Sequence, residues 1–272
     1  MGHSGRRLIS LAAVAILAAS FGSPANAAKC GNNAAGFGSW VGQFKAEAAA
    51  SGISARTLNA AFANAGYATK TISLDRNQKS FKLSLEQFMQ KRGAPTIISK
   101  GRRLKQQNAA LFSRIEKKYG VPAGPLIAIW GMESGFGGFT GNQHTVSAVA
   151  TLAYDCRRSA YFTEQLYALL QLVQKGWISP DFRGAAHGEI GQTQFLPANV
   201  LRFGVDGDGD GRINLAGTGD ALASTANFLR GHGWSRGGGY QPGQANFGAI
   251  QGWNSAGVYQ KAIAIIGAEI DQ

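Results

Sequence analysis

The chain has 272 residues, of which 44% are hydrophobic and 15% are charged, and its formal net charge at pH 7 is +12. This length suffices for one large domain or two small ones with a hydrophobic core. A strongly basic protein is attracted to anionic polymers or surfaces, although a basic balance also serves general solubility.

The first 27 residues have the pattern of a cleaved signal peptide. Arg6 and Arg7 form a positive start, residues 8–19 are apolar but too few to cross a bilayer, and Ala25-Asn26-Ala27 is a small-x-small cleavage signal. No other stretch is long and apolar enough for stable membrane insertion. We therefore expect an exported, soluble, periplasmic protein, for which the acidic cell wall is a better anionic partner than nucleic acid.

The chain has two cysteines, Cys30 and Cys156. In an oxidising compartment the simplest outcome is a disulfide between them. The cysteine count by itself leaves open the alternative of two unpaired, buried thiols.

The first elements after the leader are predicted to be helices. Apolar residues recur at spacings of three and four from Phe37 to about Arg92, and Ser54 suits the N-cap of the second helix in this region. Residues 102–118 predict another helix, which is basic and exposed on one side.

Glu133 follows a run that is apolar on nearly every face, residues 126–132, and is the only formally charged side chain between Lys118 and Asp155. The run predicts a buried helix that ends at the glycines from Gly135 onward. Burial and the negative end of the helix dipole would both raise the pKa of Glu133, as a general acid requires. A structural glutamate in a buried ion pair is the alternative.

The remaining elements continue the helical pattern, and strand signals are weak throughout. Helices are predicted at Val146–Tyr154, Ser159–Lys175, Gln194–Phe203 with an interruption at Pro197, Asp220–Arg230 and around Ile263. We expect a mainly α fold with long loops and at most a small β-sheet. A boundary near residue 100 separates an N-terminal helical part, 28–100, from a part that carries the chemistry, 101–272.

Residues 206–214 follow the calcium-binding loop of an EF-hand. Carboxylates stand at loop positions one, three and five: Asp206, Asp208 and Asp210. Position twelve is Gly217 where a bidentate glutamate is expected, but Asp220 lies three residues later and could close the site. The alternatives are that Asp220 caps the following helix and that the whole loop, 206–220, is a flexible turn.

Other catalytic chemistries lack support in the sequence. The four histidines are scattered and form no H-E-x-x-H zinc motif. There is no G-x-S-x-G, no cysteine beside an evident base, and no glycine-rich nucleotide fingerprint between a strand and a helix. We therefore expect no organic cofactor.

Several separated motifs occur in a fixed order. They are Glu133–Gly137, Ala150–Tyr154 with Arg157 and Arg158, Gly191–Pro197, the aspartate loop, and Ala226–Trp234. In order and spacing, over roughly residues 37–253, they resemble the B-type lytic murein transglycosylases. The resemblance implies a lysozyme-like helical core.

The resemblance implies that Glu133 acts on the β-1,4 bond between N-acetylmuramic acid and N-acetylglucosamine in peptidoglycan. Glu133 would protonate the glycosidic oxygen and then, as a carboxylate, take the proton of the muramyl C6 hydroxyl, which attacks C1 to leave a 1,6-anhydromuramyl end. Ordinary glycosidases use two carboxylates. The sequence near Glu133 offers no partner, and the spatial candidates are Asp155, Glu164 and Glu189.

The resemblance also implies substrate-binding residues. Gln194 matches a glutamine that lines the cleft in the family, and Gln192 is close enough to contribute. Arg157 and Arg158 match an arginine pair that could contact the peptide stem or the lactyl group. Tyr161 could stack on a sugar face; surface or packing roles are the alternatives for the arginines and for Tyr161.

The family's aspartate loop implies a structural calcium ion. In this chain Asp220 would be the late ligand, and Arg212 would contribute only its backbone carbonyl, beside the three loop aspartates.

Three positions depart from the family's pattern. Glu189 stands where a small or apolar residue is more frequent, Ala185 replaces a serine, and Phe228 replaces a tyrosine, which keeps a stacking surface but loses a hydroxyl. These departures leave two rivals to a lytic transglycosylase: a hydrolysing muramidase, and a non-catalytic protein that binds the cell wall as a scaffold.

Overall fold

The computed structural model describes residues 28–77 and 83–272, so the predicted signal peptide at residues 1–27 lies outside the described part of the chain. The described residues form thirteen α-helices and one two-stranded sheet, which confirms the predicted mainly α fold. Among these residues no helix combines the length and apolar character that a membrane span requires.

The helices follow one another with mostly short connections. In chain order they are α1 (Phe37–Ala50), α2 (Ala55–Phe62), α3 (Thr69–Arg76), α4 (Leu85–Lys91), α5 (Ala94–Gln107), α6 (Ala109–Tyr119), α7 (Ala123–Ser134), α8 (Thr145–Tyr154), α9 (Ser159–Gln174), α10 (Pro197–Phe203), α11 (Thr218–Gly231), α12 (Phe247–Trp253) and α13 (Gly257–Asp271).

The sheet is small and antiparallel. Its strands are β1 (Gln143–His144) and β2 (Arg183–Gly184), and Gln143 lies opposite Gly184. The sheet thus joins the loop after α7 to the loop after α9, and both loops lead towards the region where α7 ends.

Helix α7 is the buried centre of the fold. All its residues except Glu133 are buried, as the apolar run predicts, and Leu126, Ile127 and Ile129 are fully buried. Helix α13 runs antiparallel beside it. A Cβ atom on Gly124 would lie 2.2 Å from the carbonyl oxygen of Gly267, so glycine at this crossing lets the two backbones approach closely.

The start of the described chain is fastened to the middle of the chain. Cys30 and Cys156 form a disulfide across a sequence separation of 126 residues. Beside it, the Gly31 amide donates to the Tyr154 carbonyl at 2.9 Å and the Cys156 amide donates to the Gly31 carbonyl at 3.3 Å. These bonds hold the segment before α1 against the end of α8.

Two predicted helix boundaries are wrong. Residues 102–118 are not one helix, because the chain leaves the helical region at Asn108, whose side-chain amide donates to the Leu104 carbonyl at 3.0 Å. Residues 194–203 also begin differently. Helix α10 starts at Pro197, since proline lacks the amide hydrogen that a helix interior needs, and Gln194 lies in a preceding turn with φ at 57°.

The predicted cap of α2 is confirmed. Ser54 caps α2, accepting a hydrogen bond from the Thr57 amide at 3.2 Å. The position given as a boundary, residue 100, falls inside α5, and one hydrophobic core cluster includes buried residues from α1 through α13.

We expect the disulfide to contribute strongly to stability. The double variant Cys30→Ser with Cys156→Ser should lower the free energy of unfolding by about 2–4 kcal/mol, because the unfolded chain regains the entropy of a long open loop. Chemical denaturation of both proteins measures this difference.

The control for this experiment is the wild-type protein in a thiol reductant, which should unfold like the double variant. Identical denaturation midpoints for the oxidised protein and the double variant would contradict a stabilising disulfide.

Candidate active site

A cleft of about 240 Å³ opens where α7 ends. The residues that line it include Glu133, Glu189, Gln194, Asn199, Phe228 and Trp253. The structure thus brings together residues from α7, the loop before α10, α10 itself, α11 and α12. Among the residues singled out from the sequence, Glu133, Gln194, Phe228 and Glu189 meet here.

Glu133 is the penultimate residue of α7, and the end of this helix is sharply defined. Gly135 is in the left-handed conformation with φ at 59°, and its amide donates to the Gly131 carbonyl at 3.0 Å. The Phe136 amide donates to the Trp130 carbonyl at 3.2 Å. This pattern satisfies the last carbonyls of the helix and fixes the position of Glu133 at its end.

Two donors hold one oxygen of the Glu133 carboxyl group. The Tyr259 hydroxyl donates to Oε1 at 2.8 Å, and the Trp253 indole Nε1 donates to the same oxygen at 3.1 Å. Because Oε1 accepts two hydrogen bonds, we infer that the protonated carboxyl group of Glu133 carries its proton on Oε2. Within residues 28–77 and 83–272, Glu133 forms no salt bridge, which argues against the structural ion pair considered from the sequence.

The electrostatic surroundings keep Glu133 protonated to a higher pH than an exposed glutamate. Burial raises the pKa of its carboxyl group, and the negative charge of Glu189 acts in the same direction. The hydrogen bonds from Tyr259 and Trp253 and the charge of Arg92 oppose this rise without cancelling it. Burial is therefore the dominant cause, as expected for an acid at the end of an apolar helix.

Arg92 offsets the helix dipole that the sequence suggested as a second cause. Its guanidinium Nη1 donates to the Met132 carbonyl at 3.2 Å, at the negative end of α7. The same guanidinium lies over the ring of Tyr259, 5.6 Å from its centroid. Arg92 thus positions the end of α7 and the tyrosine that holds Glu133.

Gln192 supports the site from behind the cleft. Its Oε1 accepts a hydrogen bond from the Trp130 indole at 2.7 Å, and its carbonyl accepts one from the Ser134 hydroxyl at 2.5 Å. Its Nε2 donates to the Ala216 carbonyl at 2.5 Å. Gln192 therefore ties α7 to the aspartate loop, and its side chain does not line the cleft.

Gln194 and Phe228 do line the cleft. The Gln194 Nε2 donates to the Gly191 carbonyl at 2.8 Å, which fixes the side chain within its own turn. Phe228 is buried and stacks on His232 with ring centroids 3.9 Å apart, while its edge contact with Trp253 spans 5.0 Å. Phe228 thus supports Trp253, the indole that donates to Glu133.

Arg157 and Arg158 lie outside this cleft. Both guanidinium groups pair with the carboxylate of Asp75, a buried residue of α3. Their side chains remain 46% and 37% exposed, so each arginine keeps an accessible surface. Tyr161 is 46% exposed at the start of α9, and burial, then the charges of Glu164 and Glu189, raise the pKa of its hydroxyl group.

The three carboxylates considered as partners of Glu133 have different positions. Asp155 is buried and pairs with Arg76 at 2.6 Å, and Glu164 is exposed on α9. Glu189 shares the cleft with Glu133. Its Oε2 accepts a hydrogen bond from the His187 amide at 2.9 Å, and its Oε1 accepts one from the His187 ring Nδ1 at 3.2 Å.

The aspartate loop forms a cluster of oxygen ligands. One carboxylate oxygen each from Asp206, Asp208 and Asp220 lies within 4.8 Å of the others. Asp220 is buried in the first turn of α11, and it accepts hydrogen bonds from the amides of Gly207 and Asn214 at 2.8 and 2.6 Å. The N-cap of α11 is Gly217, so Asp220 organises the loop and does not cap the helix.

Asp210 stands apart from this cluster. Its Oδ1 accepts a hydrogen bond from the Arg212 amide at 2.8 Å, and it is exposed. The three clustered carboxylates supply the hard oxygen ligands that calcium prefers, so the chemistry of the loop fits this ion.

Tyr259 and Trp253 are site residues that no sequence motif predicts. They lie 126 and 120 positions after Glu133, beyond the glycine-rich segment that precedes α12. Neither belongs to a motif with recognisable spacing from the glutamate. Their only sequence signal is that each is an aromatic residue with a hydrogen-bond donor near an otherwise apolar C-terminal helix.

Known proteins match a large part of this chain. The sequence model of the Transglycosylase SLT domain family matches residues 36–244. Membrane-bound lytic murein transglycosylase B of Escherichia coli (strain K12) is 34% identical over 128 residues, which are 46% of this chain. The matched region spans 36% of the length of that relative.

Solved structures share the fold over most of the chain. SltB3 from Pseudomonas aeruginosa, in complex with NAG-anhNAM-pentapeptide, has a TM-score of 0.80 at 28% identity, covering 86% of this chain and 79% of its own. The Escherichia coli lytic transglycosylase Slt35, in complex with calcium, has a TM-score of 0.74 at 21% identity, covering 90% and 96%, which supports the fold. With a family match that includes Glu133, Gln194 and the aspartate loop, the chain belongs to the Transglycosylase SLT domain family, among the B-type lytic murein transglycosylases.

Proposed function

We propose that this protein is a lytic transglycosylase that cleaves the β-1,4 bond between N-acetylmuramic acid and N-acetylglucosamine in peptidoglycan. The observation that carries the proposal is the arrangement around Glu133: a carboxyl group with a raised pKa, held by two donors on one oxygen, in a cleft at the end of a buried helix. A general acid needs this combination of fixed position and retained proton.

In the proposed reaction Glu133 serves first as an acid and then as a base. Its Oε2 gives a proton to the glycosidic oxygen, and the bond from that oxygen to C1 of the muramyl residue breaks with its electron pair going to the oxygen. The acetamido group supports the positive charge at C1. The C6 hydroxyl then attacks C1 and gives its proton to the Glu133 carboxylate. Water is not consumed, so the two products together have the mass of the substrate.

The residues around Glu133 take distinct parts in this scheme. Tyr259 and Trp253 stabilise the carboxylate that exists between the two proton transfers, because charge-assisted hydrogen bonds are stronger than neutral ones. Gln194 and Phe228 form the cleft surface that meets the sugars. Gln192 acts as a positioning residue through its contacts with α7.

Tyr161, Arg157 and Arg158 are the outer part of the proposed substrate surface. Tyr161 offers an exposed ring for stacking on a sugar, and the two arginines offer accessible guanidinium groups for the lactyl group or the peptide stem. All three belong to or precede α9, next to the loop that carries Glu189.

The hydrolysing muramidase is the second candidate function. The observation that favours it is the carboxylate of Glu189 in the same cleft, since glycosidases that use water rely on two carboxylates. The two reactions give different products. Hydrolysis leaves a reducing muramic acid that is heavier by one water than the 1,6-anhydro end.

We infer that the protein acts outside the cytoplasm, in the periplasm, on the glycan strands of the cell wall. The disulfide between Cys30 and Cys156 supports an oxidising compartment. The net charge of +12, of which Arg6 and Arg7 in the predicted signal peptide account for two, favours binding to an anionic polymer.

We propose a structural calcium ion at the aspartate loop. Asp206, Asp208 and Asp220 would hold it, with Asp210 and the Arg212 carbonyl as further candidate ligands. The loop contacts the active site directly, since the Gln192 amide donates to the Leu215 carbonyl at 2.8 Å. A bound ion would thus stabilise the turn that presents Gln194 to the cleft.

The first prediction concerns the products and the role of Glu133. Wild-type protein incubated with purified murein sacculi should release fragments whose masses show 1,6-anhydromuramyl ends. The variant Glu133→Gln should lower the rate by at least about 100-fold, because an amide cannot transfer the proton, while still binding sacculi.

Glu164→Gln is the matched control, since Glu164 is an exposed glutamate outside the cleft and its replacement should keep the wild-type rate. Reducing muramic acid ends would favour the muramidase. Binding without any fragment release by wild-type protein would favour the scaffold, and full activity in Glu133→Gln would contradict the role of Glu133.

The second prediction concerns the pH dependence. The Tyr259 hydroxyl lowers the pKa of Glu133 by stabilising its charged form, so Tyr259→Phe should raise that pKa. Because the acid must be protonated, the alkaline limb of the kcat/KM profile should move to higher pH, and the maximal rate should fall.

Tyr240→Phe provides the comparison, because the Tyr240 hydroxyl also donates to a carboxylate, that of Asp271, at 2.8 Å. Tyr240 does not line the cleft. Its alkaline limb should coincide with that of the wild type. A limb that stays in place or moves to lower pH in Tyr259→Phe would contradict the proposed electrostatics.

The third prediction concerns calcium. After treatment with a chelator, added Ca²⁺ should raise the melting temperature in a concentration-dependent way, with a stabilisation of about 2.7 kcal/mol at a hundred times the Kd. Asp206→Asn should abolish most of this response, because it removes a charged ligand.

Asp181→Asn should respond to Ca²⁺ like the wild type, since Asp181 is 65% exposed and lies in the loop after α9, outside the aspartate cluster. A melting temperature that is insensitive to Ca²⁺ in the wild-type protein would exclude the proposed site.

A further inference from the structure

Glu189 is a second carboxylate in the cleft, and the scheme above gives it no role. It lines the same cleft as Glu133 and lies in the loop before α10. Its side chain is 23% exposed, so it is accessible to a molecule in the cleft but largely removed from bulk water.

The loop that carries Glu189 is held rigidly. The Ala185 amide donates to the Glu189 carbonyl at 3.1 Å, and the Gly188 amide donates to the Ala185 carbonyl at 3.2 Å. Gly188 has φ at 89°, and a Cβ atom there would lie 2.1 Å from the Val149 side chain, so the turn requires glycine. The backbone therefore fixes the direction in which Glu189 enters the cleft.

His187 forms a hydrogen bond with each oxygen of the Glu189 carboxylate. Its amide donates to Oε2 at 2.9 Å, and its ring Nδ1 donates to Oε1 at 3.2 Å. Two bonds to two different oxygens restrict both the position and the rotation of the carboxylate.

Positive charge stands behind this pair. The other ring nitrogen of His187, Nε2, lies 3.6 Å from Oδ1 of the buried Asp75, and Asp75 pairs with the guanidinium groups of Arg157 and Arg158. The chain of contacts runs from two arginines through an aspartate and a histidine to Glu189. Such an arrangement favours an ionised carboxylate at the end that faces the cleft.

The two glutamates of the cleft are driven to opposite protonation states. Burial acts to raise the pKa of Glu189, but the hydrogen bond and charge of His187, together with backbone amides, lower it below the ordinary value. The pKa of Glu133 is raised, in part by the charge of Glu189. A pair of carboxyl groups with separated pKa values provides one acid and one anion in the same site.

We propose that Glu189 is a second catalytic carboxylate of this chain, which stabilises the positive charge that develops at C1 of the muramyl residue as the glycosidic bond breaks. His187 and Asp75 are its positioning residues. This inference rests on the proposed transglycosylase function and adds an electrostatic partner to it. Glu189 forms no covalent bond and takes no proton, so the proton transfers remain those of Glu133.

The central experiment compares Glu189→Gln with wild-type protein on purified murein sacculi and on soluble glycan strands. The amide keeps the shape of the side chain and removes the charge. The value of kcat should fall by about 100- to 1,000-fold, the size typical for losing one electrostatic group in an active site. KM should change little, and the products should keep their 1,6-anhydromuramyl ends.

The controls separate charge from shape and from general surface charge. Glu189→Asp retains the charge on a shorter side chain, so it should recover more of the rate than Glu189→Gln. Glu116→Gln removes an exposed carboxylate outside the cleft and should leave kcat unchanged. The melting temperatures of all variants should be determined, so that a loss of rate is assigned only to folded protein.

The pH profile gives a readout that a structural role would not move. The groups that act on Glu133 in the described chain are Arg92, Tyr259, Trp253 and Glu189. Removing the Glu189 charge should lower the pKa of Glu133 and move the alkaline limb of kcat/KM to lower pH, opposite to the effect of Tyr259→Phe.

A double-mutant cycle tests the positioning role of His187. His187→Ala should lower kcat in the wild-type background and have little further effect once Glu189→Gln is present, because both changes remove the same carboxylate interaction. If His187→Ala does not fold, His187→Asn serves in its place. Additive effects in the cycle would overturn the positioning role.

The outcomes distinguish this inference from the proposed function. If wild-type protein makes anhydromuramyl ends and Glu189→Gln makes them at the same kcat, the role of Glu189 is wrong and the proposed function stands. If wild-type protein makes reducing ends that disappear in Glu189→Gln, Glu189 instead activates water, and both the inference and the transglycosylase proposal fall.

Discussion

The hydrogen bonds from Tyr259 and Trp253 to a single oxygen of Glu133 depend on the packing of α7 against α13 and of α13 against α12. The two long helices run antiparallel, and at one end Gly124 and Gly267 allow their backbones to approach closely. Glu133 lies nine residues after Gly124 in α7, and Tyr259 lies eight residues before Gly267 in α13. The Tyr259 hydroxyl and Oε1 of Glu133 are 2.8 Å apart. A side chain at either glycine would separate the helices and weaken the bond at the other end, so the acid is positioned by a contact one helix length away.

Burial of Glu133 creates an electrostatic problem that its neighbours resolve in part. An isolated ionised carboxylate in an apolar helix would be strongly destabilising, and the raised pKa means that the folded protein keeps the neutral form over a wider pH range. Tyr259, Trp253 and Arg92 stabilise the ionised form and so limit the rise of the pKa. The surroundings thus lie between those of a fully buried acid and those of an exposed one, which suits the change of charge that the proposed reaction asks of Glu133.

The turn that carries Gln192 and Gln194 is hydrogen-bonded to α7. Gln192 bonds to Trp130 and Ser134 of α7 and to Ala216 beside the aspartate loop, so the turn of Gln194 is fixed from two directions. The loop of Glu189 is anchored separately, through His187 and Asp75, to α3 and to the arginines before α9. The N-terminal helices therefore reach the cleft through an ionic network, although they contribute none of the residues named here as lining it.

Local spacing was enough to predict the helical fold, the buried helix α7 that carries Glu133 as its penultimate residue, and the loop of alternating aspartates. Apolar periodicity, glycines at a helix end and alternating aspartates are properties of a few consecutive residues. Local spacing also failed where a single residue changed the backbone, at Asn108 within a predicted helix and at Pro197, which begins α10.

Which side chains meet depends on the tertiary structure. Tyr259 and Trp253 reach Glu133 across more than a hundred residues, Arg157 and Arg158 pair with Asp75, and of the three candidate carboxylates only Glu189 lines the cleft with Glu133. The physical reason is that hydrogen bonds and charge pairs depend on distances in space, which helix packing sets and which no local pattern of residues records.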